Sequence, residues 1–183
     1  MTITTTFSRR ALGLGVAGLA AAAGLQQAVG QTAAMGGTWL DMVKSHHMMI
    51  AQTLDQILAT NDGQVDDRKA LLKKLAYLLT AHATAEENVL YPALARMGLT
   101  SASDQLYLEQ AHAKVIVSDL EVTMKGNSEW LSKVAALKTA ILHHAKDEEE
   151  ADLFPKLLRA AGPGANEKMT ADYAKEFDLI KRG

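Results

Sequence analysis

The stretch "HHAKDEEEADLFP", from His143 to Pro155, concentrates side chains that bind metal ions or transfer protons. It contains two histidines and a run of acids inside what otherwise reads as a continuing amphipathic helix. Like charges in adjacent helical turns repel, and acids late in a helix face the unfavourable end of its dipole. The stretch is therefore either a solvated surface or a segment that turns some of these side chains inward to hold a ligand.

A second stretch, "HATAEENVLYPAL", begins at His82 and repeats the main features of the first. Both contain histidine, clustered acids, leucine followed by an aromatic residue and proline, and a further leucine. This similarity predicts two related helical hairpins, each with its acid-rich segment on the second helix.

His82 and Glu86 lie on the inward face of the predicted second helix, which is marked by Leu75, Leu79, Val89 and Leu90. Their spacing of four residues separates them by roughly 40° around the helix axis, so both share that face. A buried carboxylate without a partner would be destabilising or would take up a proton. The pair is therefore a candidate pair of ligands.

The predicted fourth helix presents a similar pair, His144 and Glu148, on its apolar face, and His143 lies off that face. Glu86 lies six residues before Pro92, and the same distance before Pro155 gives Glu149. His82 lies ten residues before Pro92 but His144 lies eleven before Pro155, so helix four holds one extra residue. Helical phase favours Glu148 as the inward carboxylate, whereas alignment on the proline favours Glu149 across a local π-bulge. We predict Glu148 and keep Glu149 as the alternative.

The first and third predicted helices each contribute one inward histidine. In helix one, His47 lies on the apolar face and His46 falls about 100° away. In helix three, His112 is the only histidine, and it shares an apolar stripe with Leu108, Val115, Ile116 and Leu120.

Together these side chains predict a site for two metal ions. Neutral imidazoles have no reason to converge with carboxylates in a core unless a cation neutralises the group. Cysteine is absent, which excludes thiolate ligands and points to iron, manganese or zinc. Six ligands exceed what one tetrahedral zinc needs and suit two octahedral ions bridged by carboxylates. The predicted ligands are His47, His82, Glu86, His112, His144 and Glu148, and the secondary candidates are Glu149, His46, His143 and Glu109.

The composition is that of one globular domain. The 183 residues, 48% of them hydrophobic, suffice for a substantial core. A formal net charge of -2 offers no footprint for nucleic acid or an anionic membrane, so we expect no nucleic-acid partner.

Residues 1–30 are predicted to be a cleaved export signal. Arg9 and Arg10 precede an apolar run from Ala11 to Leu25 that is too short, and too rich in Gly and Ala, to span a bilayer comfortably. The stretch "SRRAL" is similar to a twin-arginine signal, which carries proteins already folded; an ordinary secretory signal is the alternative. We expect a periplasmic or extracellular protein, the twin-arginine translocase as a partner during export, and no stable membrane anchor after cleavage.

Four long helical patterns follow a linker over residues 31–37, and no segment alternates with the period of a strand. Short connections make sequential helices antiparallel neighbours. We therefore predict an all-α, antiparallel up-down-up-down four-helix bundle over residues 38–162. Residues 163–183 form a tail with a short helix from Ala171 to Lys181.

With histidines and carboxylates in these positions, the chain resembles the hemerythrin-like, His-His-Glu cation-binding family from about Trp39 to Leu158. The most specific motifs are "HATAEENVLYP" and the segment around His144, and His47 and His112 match the family's first-helix and third-helix histidines. The resemblance implies a non-haem di-iron centre (Fe2+/Fe3+) with bridging carboxylates and an oxo or hydroxo bridge, iron being preferred over manganese or zinc. It also implies an open iron position for O2, NO or peroxide.

Helix three departs from the pattern of the oxygen-carrying members, which place a His-x-x-x-His pair there. Leu108 and Ile116 flank His112 at that spacing, so one terminal ligand is missing. A more open iron favours redox chemistry over reversible O2 carriage, since an exchangeable water leaves room for substrate. The candidates to fill the place are a water, Tyr107, Glu109 and His46.

We therefore expect an exported di-iron protein that senses, stores or detoxifies O2, NO or peroxide; if it is an enzyme, it is a di-iron oxidoreductase. One alternative is a ferritin-like carboxylate oxidase or iron-storage protein, whose Glu-x-x-His spacing occurs here at Glu109 and His112. Another is a helical interaction module with structural histidines. The sequence leaves the oligomeric state open.

Overall fold

In the computed structural model, which describes residues 37–180, the chain is helical and contains no strand in that range. The helices are α1 (Trp39–Leu58), α2 (Val65–Ala85), α3 (Tyr91–Arg96), α4 (Thr100–Val122), α5 (Ser128–Leu142) and α6 (Phe154–Leu179). Two π-helical segments, π1 (Glu86–Leu90) and π2 (His143–Leu153), join α2 to α3 and α5 to α6. The predicted export signal and nearly all of the predicted linker lie outside the described residues.

The long helices pack as a bundle, which confirms the predicted all-α class. Helix α1 packs against α2 and α5, and α4 packs against the same two helices. Their shared interior is apolar and includes the fully buried residues Leu54, Leu75, Leu120 and Leu137. No helix within residues 37–180 is both long and apolar enough to cross a membrane.

Side-chain hydrogen bonds fix where α1 and α5 begin. The backbone N–H of Thr38 donates to Asp41 Oδ2 at 2.8 Å, and the backbone N–H of Asp41 donates back to Thr38 Oγ1, so the two residues form a capping box. Asn127 caps α5 by accepting from the backbone N–H of Trp130 at 2.9 Å. A fixed start sets the rotational phase of each helix, and so determines which histidines face inward.

A buried arginine ties two connections together at one end of the bundle. Arg68 is 0% exposed and donates to the Thr60 side chain at 2.8 Å and to the Lys125 carbonyl. Its guanidinium also lies over the Trp130 ring, 5.6 Å from the ring centroid. The α1–α2 and α4–α5 connections are thereby held to each other.

Both acid-rich stretches contain a π-helical segment. In a π-helix each backbone N–H bonds to the carbonyl five residues back, so an extra residue is accommodated and the following side chains rotate around the axis. The π-bulge considered for helix four is therefore present, and it extends over the 11 residues of His143–Leu153. This rotation decides which acids of the stretch face the interior.

Helix α6 breaks at Gly162, which has φ 73° and ψ 169° and is followed by Pro163. Positive φ favours glycine, and proline cannot continue the hydrogen bonding of the preceding turns. The helix resumes beyond the break and runs to Leu179, so the tail helix is longer than the predicted Ala171–Lys181.

The tail helix packs on the bundle through Met169, Tyr173 and Phe177, which are spaced four residues apart and buried. It also contacts the start of α1 through two polar side chains. Asn166 Oδ1 accepts from the indole N–H of Trp39 at 2.8 Å, and Thr170 Oγ1 accepts from the backbone N–H of Trp39 at 3.0 Å. The tail is therefore joined to the first helix by both packing and hydrogen bonds.

Candidate metal centre

Four buried side chains from four segments bring ligand atoms together in the bundle interior. His47 comes from α1, His82 from α2, Glu86 from π1 and Glu149 from π2. One ligand atom of each lies within 4.8 Å of the others, and both carboxylates are 0% exposed. His144, also from π2 and 8% exposed, adds a third imidazole beside Glu149.

The two carboxyl oxygens of Glu149 face different histidines. Its Oε2 lies 3.1 Å from His47 Nε2, and its Oε1 lies 3.2 Å from His144 Nε2. Glu86 behaves similarly, because its Oε2 lies 3.2 Å from His82 Nε2 and its Oε1 lies 3.9 Å from His47 Nε2. Each carboxylate thus spans two imidazoles, as a bridging ligand would.

Three of these atoms are buried and make no hydrogen bond: His47 Nε2, Glu86 Oε1 and Glu149 Oε2. A buried polar atom without a partner is destabilising, and a buried anion is more so. A cation among the atoms would satisfy all three at once. The donor set, three imidazoles and two carboxylates, fits iron, manganese or zinc.

The pKa values of the site reflect the same crowding of negative charge. Burial, followed by the charge of Glu149, raises the pKa of Glu86 well above its usual range. Burial acts in the same direction on Glu149, but the charge and hydrogen bond of His144, with His47, hold the pKa of Glu149 below its usual range. Burial lowers the pKa of His144, but Glu149 and Glu109 outweigh it and raise that pKa to about 9.

Each of the three histidines is held at its outer ring nitrogen. Nδ1 of His47 donates to Glu150 Oε1 at 2.7 Å, and Nδ1 of His144 donates to Glu109 Oε2 at 2.7 Å. The Nδ1 of His82 lies 3.0 Å from the Tyr173 hydroxyl. A histidine that binds a metal through Nε2 carries its proton on Nδ1, so these contacts fix the tautomer and ring orientation that metal binding needs.

The preference for Glu148 over Glu149 requires correction. Glu149 lies inside the cluster, whereas Glu148 is partly exposed and lies 3.8 Å from Nδ1 of His144, on its outer side. Helical phase misplaced the acid because π2 replaces the α-helical turns on which that phase depends. Glu148 instead belongs to a second, less buried group with Glu109 and His144.

The expected ligand from helix three also requires correction. His112 is exposed and lies outside the cluster, because the inward face of α4 differs from the predicted stripe. Leu108 and Val115 are each 66% exposed, whereas Leu106, Gln110, Val117 and Leu120 are buried. Gln110, not His112, therefore points from α4 to the cluster.

The two remaining histidines lie outside the cluster. His46 is buried, with its Nδ1 3.0 Å from the Tyr173 hydroxyl and its ring stacked on Phe177 at 3.8 Å between centroids. His143 is exposed, and its Nδ1 lies 2.9 Å from Asp147 Oδ2.

Sequence reasoning missed three polar residues at the site. Gln110 Nε2 donates to Glu86 Oε2 at 2.8 Å, and the Tyr91 hydroxyl donates to Glu149 Oε1 at 2.9 Å. Tyr173 reaches His82 from the tail helix. The similarity of the two acid-rich stretches pointed to position 91, because Tyr91 and Phe154 occupy equivalent places before the prolines, but only Tyr91 carries a hydroxyl.

A cavity of about 210 Å³ adjoins the cluster. Its lining includes the buried histidines His47, His82 and His144 and the exposed histidines His112 and His143. The remaining lining is largely apolar and includes Ile50, Leu79, Ile141 and three alanines. A small molecule therefore has a mainly apolar space beside the imidazoles.

The chain belongs to the hemerythrin family, described as the hemerythrin HHE cation-binding domain, which matches residues 38–157. Membership implies a metal-binding site, commonly for iron, in agreement with the buried cluster of histidine and glutamate. The chain is also 26% identical over 164 residues to a protein of Nostoc sp. (strain PCC 7120 / SAG 25.82 / UTEX 2576) named DNA nickase. That similarity covers 88% of this chain and 45% of the relative, so the chain spans less than half of it. No solved structure matches the chain.

The two neighbouring acids of π2 allow a matched test of the site. We expect Glu149→Gln to lose most of the bound metal, because the amide removes the charge that faces two histidines. Glu148→Gln, an identical change one residue away, should keep it. Metal content per chain, measured by elemental analysis of the purified variants, compares them. Equal metal content in the two variants would contradict the position assigned to Glu149.

The tail helix provides a second test. We expect Tyr173→Phe to weaken metal binding by roughly tenfold to a hundredfold, because His82 loses the group that holds its outer nitrogen. Competition with a chromophoric chelator measures the affinity. Tyr107→Phe is the control, since that hydroxyl donates to the Glu87 carbonyl and not to a histidine. Unchanged affinity in Tyr173→Phe would show that the contact does not support the site.

Proposed function

We propose that this protein holds two iron ions and uses them to bind or react with O2, NO or peroxide, in sensing, storage or redox detoxification. The observation that supports two ions is Glu149, whose oxygens lie 3.1 and 3.2 Å from the Nε2 atoms of His47 and His144. One carboxylate that faces two imidazoles in opposite directions suits a bridge between two ions. We also infer the antiparallel up-down-up-down helix order, which the short connections favour.

The cavity supports a small ligand. Its volume of about 210 Å³ exceeds the space of a diatomic gas or peroxide. The ligand would lie among His47, His82 and His144, and the apolar side chains of Ile50 and Ile141 line the same space. Iron supplies the binding position and the electrons for chemistry with such ligands.

The buried acids argue against a purely structural role for the histidines. Within residues 37–180, the ion partners of Glu86 and Glu149 are histidines, which do not carry a fixed charge. A helical interaction module would have no use for two such buried carboxylates, because their burial costs free energy. A ferritin-like site is disfavoured as well, since Glu109 contacts His144 while His112 is exposed.

The name of the Nostoc relative indicates that it nicks DNA. Two observations argue against extending that activity to this chain. The similarity covers 45% of that relative. The formal net charge of -2 also gives no basic footprint for a phosphate backbone.

The proposal predicts the metal content and the spectrum of the protein. Protein purified from iron-supplemented cells should contain two irons per chain and absorb in the near-ultraviolet and visible regions, with bands that azide shifts. The reduced protein should change its spectrum on addition of O2, NO or peroxide. Protein stripped of metal by a chelator is the control and should show neither response. A metal-free and fully folded protein from such cells would contradict the proposal.

We further propose that the protein is exported through the twin-arginine route, to the periplasm or beyond, with its metal already bound. The motif at Arg9 and Arg10 supports this route. The ligands lie between positions 47 and 149 and converge only in the folded chain, so loading has to follow folding. Loading before export would keep the competing copper and zinc of the periplasm away from an empty site.

The arginine pair provides the test of export. Changing Arg9 and Arg10 to Lys preserves the charge, and we expect it to block export and leave the folded protein in the cytoplasm. Cell fractionation followed by immunodetection gives the distribution. A translocase-deficient host should give the same distribution with the unchanged chain. Normal export of the double variant would favour the ordinary secretory route.

A further inference from the structure

We propose that Tyr91 is a direct metal ligand that takes the place of the histidine missing from helix three. This inference rests on the proposed metal function and adds a phenol oxygen to its ligand set. It concerns the half of the site around His144, where the structure offers no second imidazole from α4.

The distances around Tyr91 are those of neighbouring ligand atoms. Its hydroxyl oxygen lies 2.9 Å from Glu149 Oε1 and 3.3 Å from His144 Nε2. Those two atoms are themselves 3.2 Å apart. In an octahedral site with bonds of about 2.0–2.1 Å, adjacent ligand atoms are separated by about 2.9 Å. The three atoms thus approximate one triangular face of such a site.

The two other histidines face other carboxyl oxygens, and the Tyr91 hydroxyl also lies 3.2 Å from Glu86 Oε2, the atom that faces His82. His47 faces Glu149 Oε2, and His82 faces Glu86 Oε2. Glu149 Oε1 therefore points to a second position shared with His144 and Tyr91. Within residues 37–180, His144 is the one imidazole at that position, and Tyr91 adds an oxygen donor beside it.

None of the side chains named as replacements for the missing histidine reaches this face. The Tyr107 hydroxyl donates to the Glu87 carbonyl at 2.6 Å. Glu109 contacts the outer nitrogen of His144, at 2.7 Å, and not the Nε2 that faces the cluster. His46 contacts the Tyr173 hydroxyl, which also contacts the outer nitrogen of His82, so His46 lies away from His144 and this face.

Gln110 is suited to stabilise a bound phenolate. Its Nε2 donates to the Tyr91 oxygen at 3.0 Å and to Glu86 Oε2 at 2.8 Å. An amide nitrogen donates hydrogen bonds and does not bind metals readily, so Gln110 supports the ligand and is not one. The position on α4 expected to supply a ligand instead supplies a donor to Tyr91.

Tyr91 changes its protonation on binding. The Tyr91 hydroxyl donates to Glu149 Oε1 at 2.9 Å, so the phenol carries its proton in this arrangement. When its oxygen binds the metal, the O–H bond breaks and one proton passes to the solvent. The negative charge of the phenolate then balances part of the charge of the cation.

Ferric protein provides the test, because a phenolate bound to Fe³⁺ gives a visible charge-transfer band and tyrosinate modes in resonance Raman spectra. We expect both in the unsubstituted holoprotein, and their loss in Tyr91→Phe. Tyr107→Phe removes a neighbouring hydroxyl, since the two rings lie 5.0 Å apart, and it should retain both signals. Iron content and circular dichroism are recorded for every sample.

The unsubstituted protein decides the question even if Tyr91→Phe does not fold. Tyrosinate modes that shift when ring-deuterated tyrosine is incorporated would support a phenolate ligand. Two irons per chain without tyrosinate modes would overturn the role of Tyr91 and leave the di-iron function intact. A folded protein that binds no iron would overturn both proposals. Tyrosinate modes that persist in Tyr91→Phe would assign the ligand to another tyrosine and overturn the role of Tyr91.

Discussion

The burial of two facing carboxylates, Glu86 and Glu149, is the constraint on which the metal centre depends. Both are 0% exposed, and burial together with the charge of Glu149 raises the pKa of Glu86 well above its usual range. Positive charge stabilises this arrangement, and a bound cation would add to what His47 and His144 supply, since His82 is kept neutral. The identity of the neighbouring residues follows from this need. Nitrogen donors, a phenol and an amide surround the carboxylates where a bundle would otherwise place leucine and valine.

The hydrogen bonds to the outer nitrogens of the histidines also shape the charge of the site. Glu150 and Glu109 hold the far nitrogens of His47 and His144, so carboxylates lie on both sides of these two rings. The ring of His82 is held by a neutral phenol instead, and burial together with the charge of His47 lowers the pKa of His82 well below its usual range. The three imidazoles are therefore not equivalent. His47 and His144 are made more basic by their partners, and His82 is kept neutral.

Much of this arrangement could be predicted from the sequence wherever the helices are regular. The 3.6-residue period of the apolar residues identified His47 and His82 as inward residues, because their helices are regular up to these positions. Glu149 could not be found from periodicity, since π2 changes the number of residues per turn. Alignment on Pro155 favoured Glu149, and it was the better guide here because it is independent of the turns in between.

The site residues of α4 and of the tail could not be predicted from the sequence for a different reason. Apolar residues occupy more than one face of α4, so the stripe through Leu108 appeared as convincing as the true one through Leu106. Gln110 and Tyr91 carry no pattern typical of metal ligands, and their roles depend on which side chains lie opposite. Tyr173 is 91 residues away from His82 along the chain, a pairing that no local pattern reveals.

The contact between Tyr173 and His82 also affects how relatives of this chain can be compared. The family match ends at residue 157, before the break at Gly162, so the support of one histidine comes from a segment outside the shared domain. Two chains with the same ligands could therefore differ in metal affinity or redox behaviour solely through the segment after their last bundle helix. Variation in that appended helix allows the centre to be tuned while every ligand stays the same.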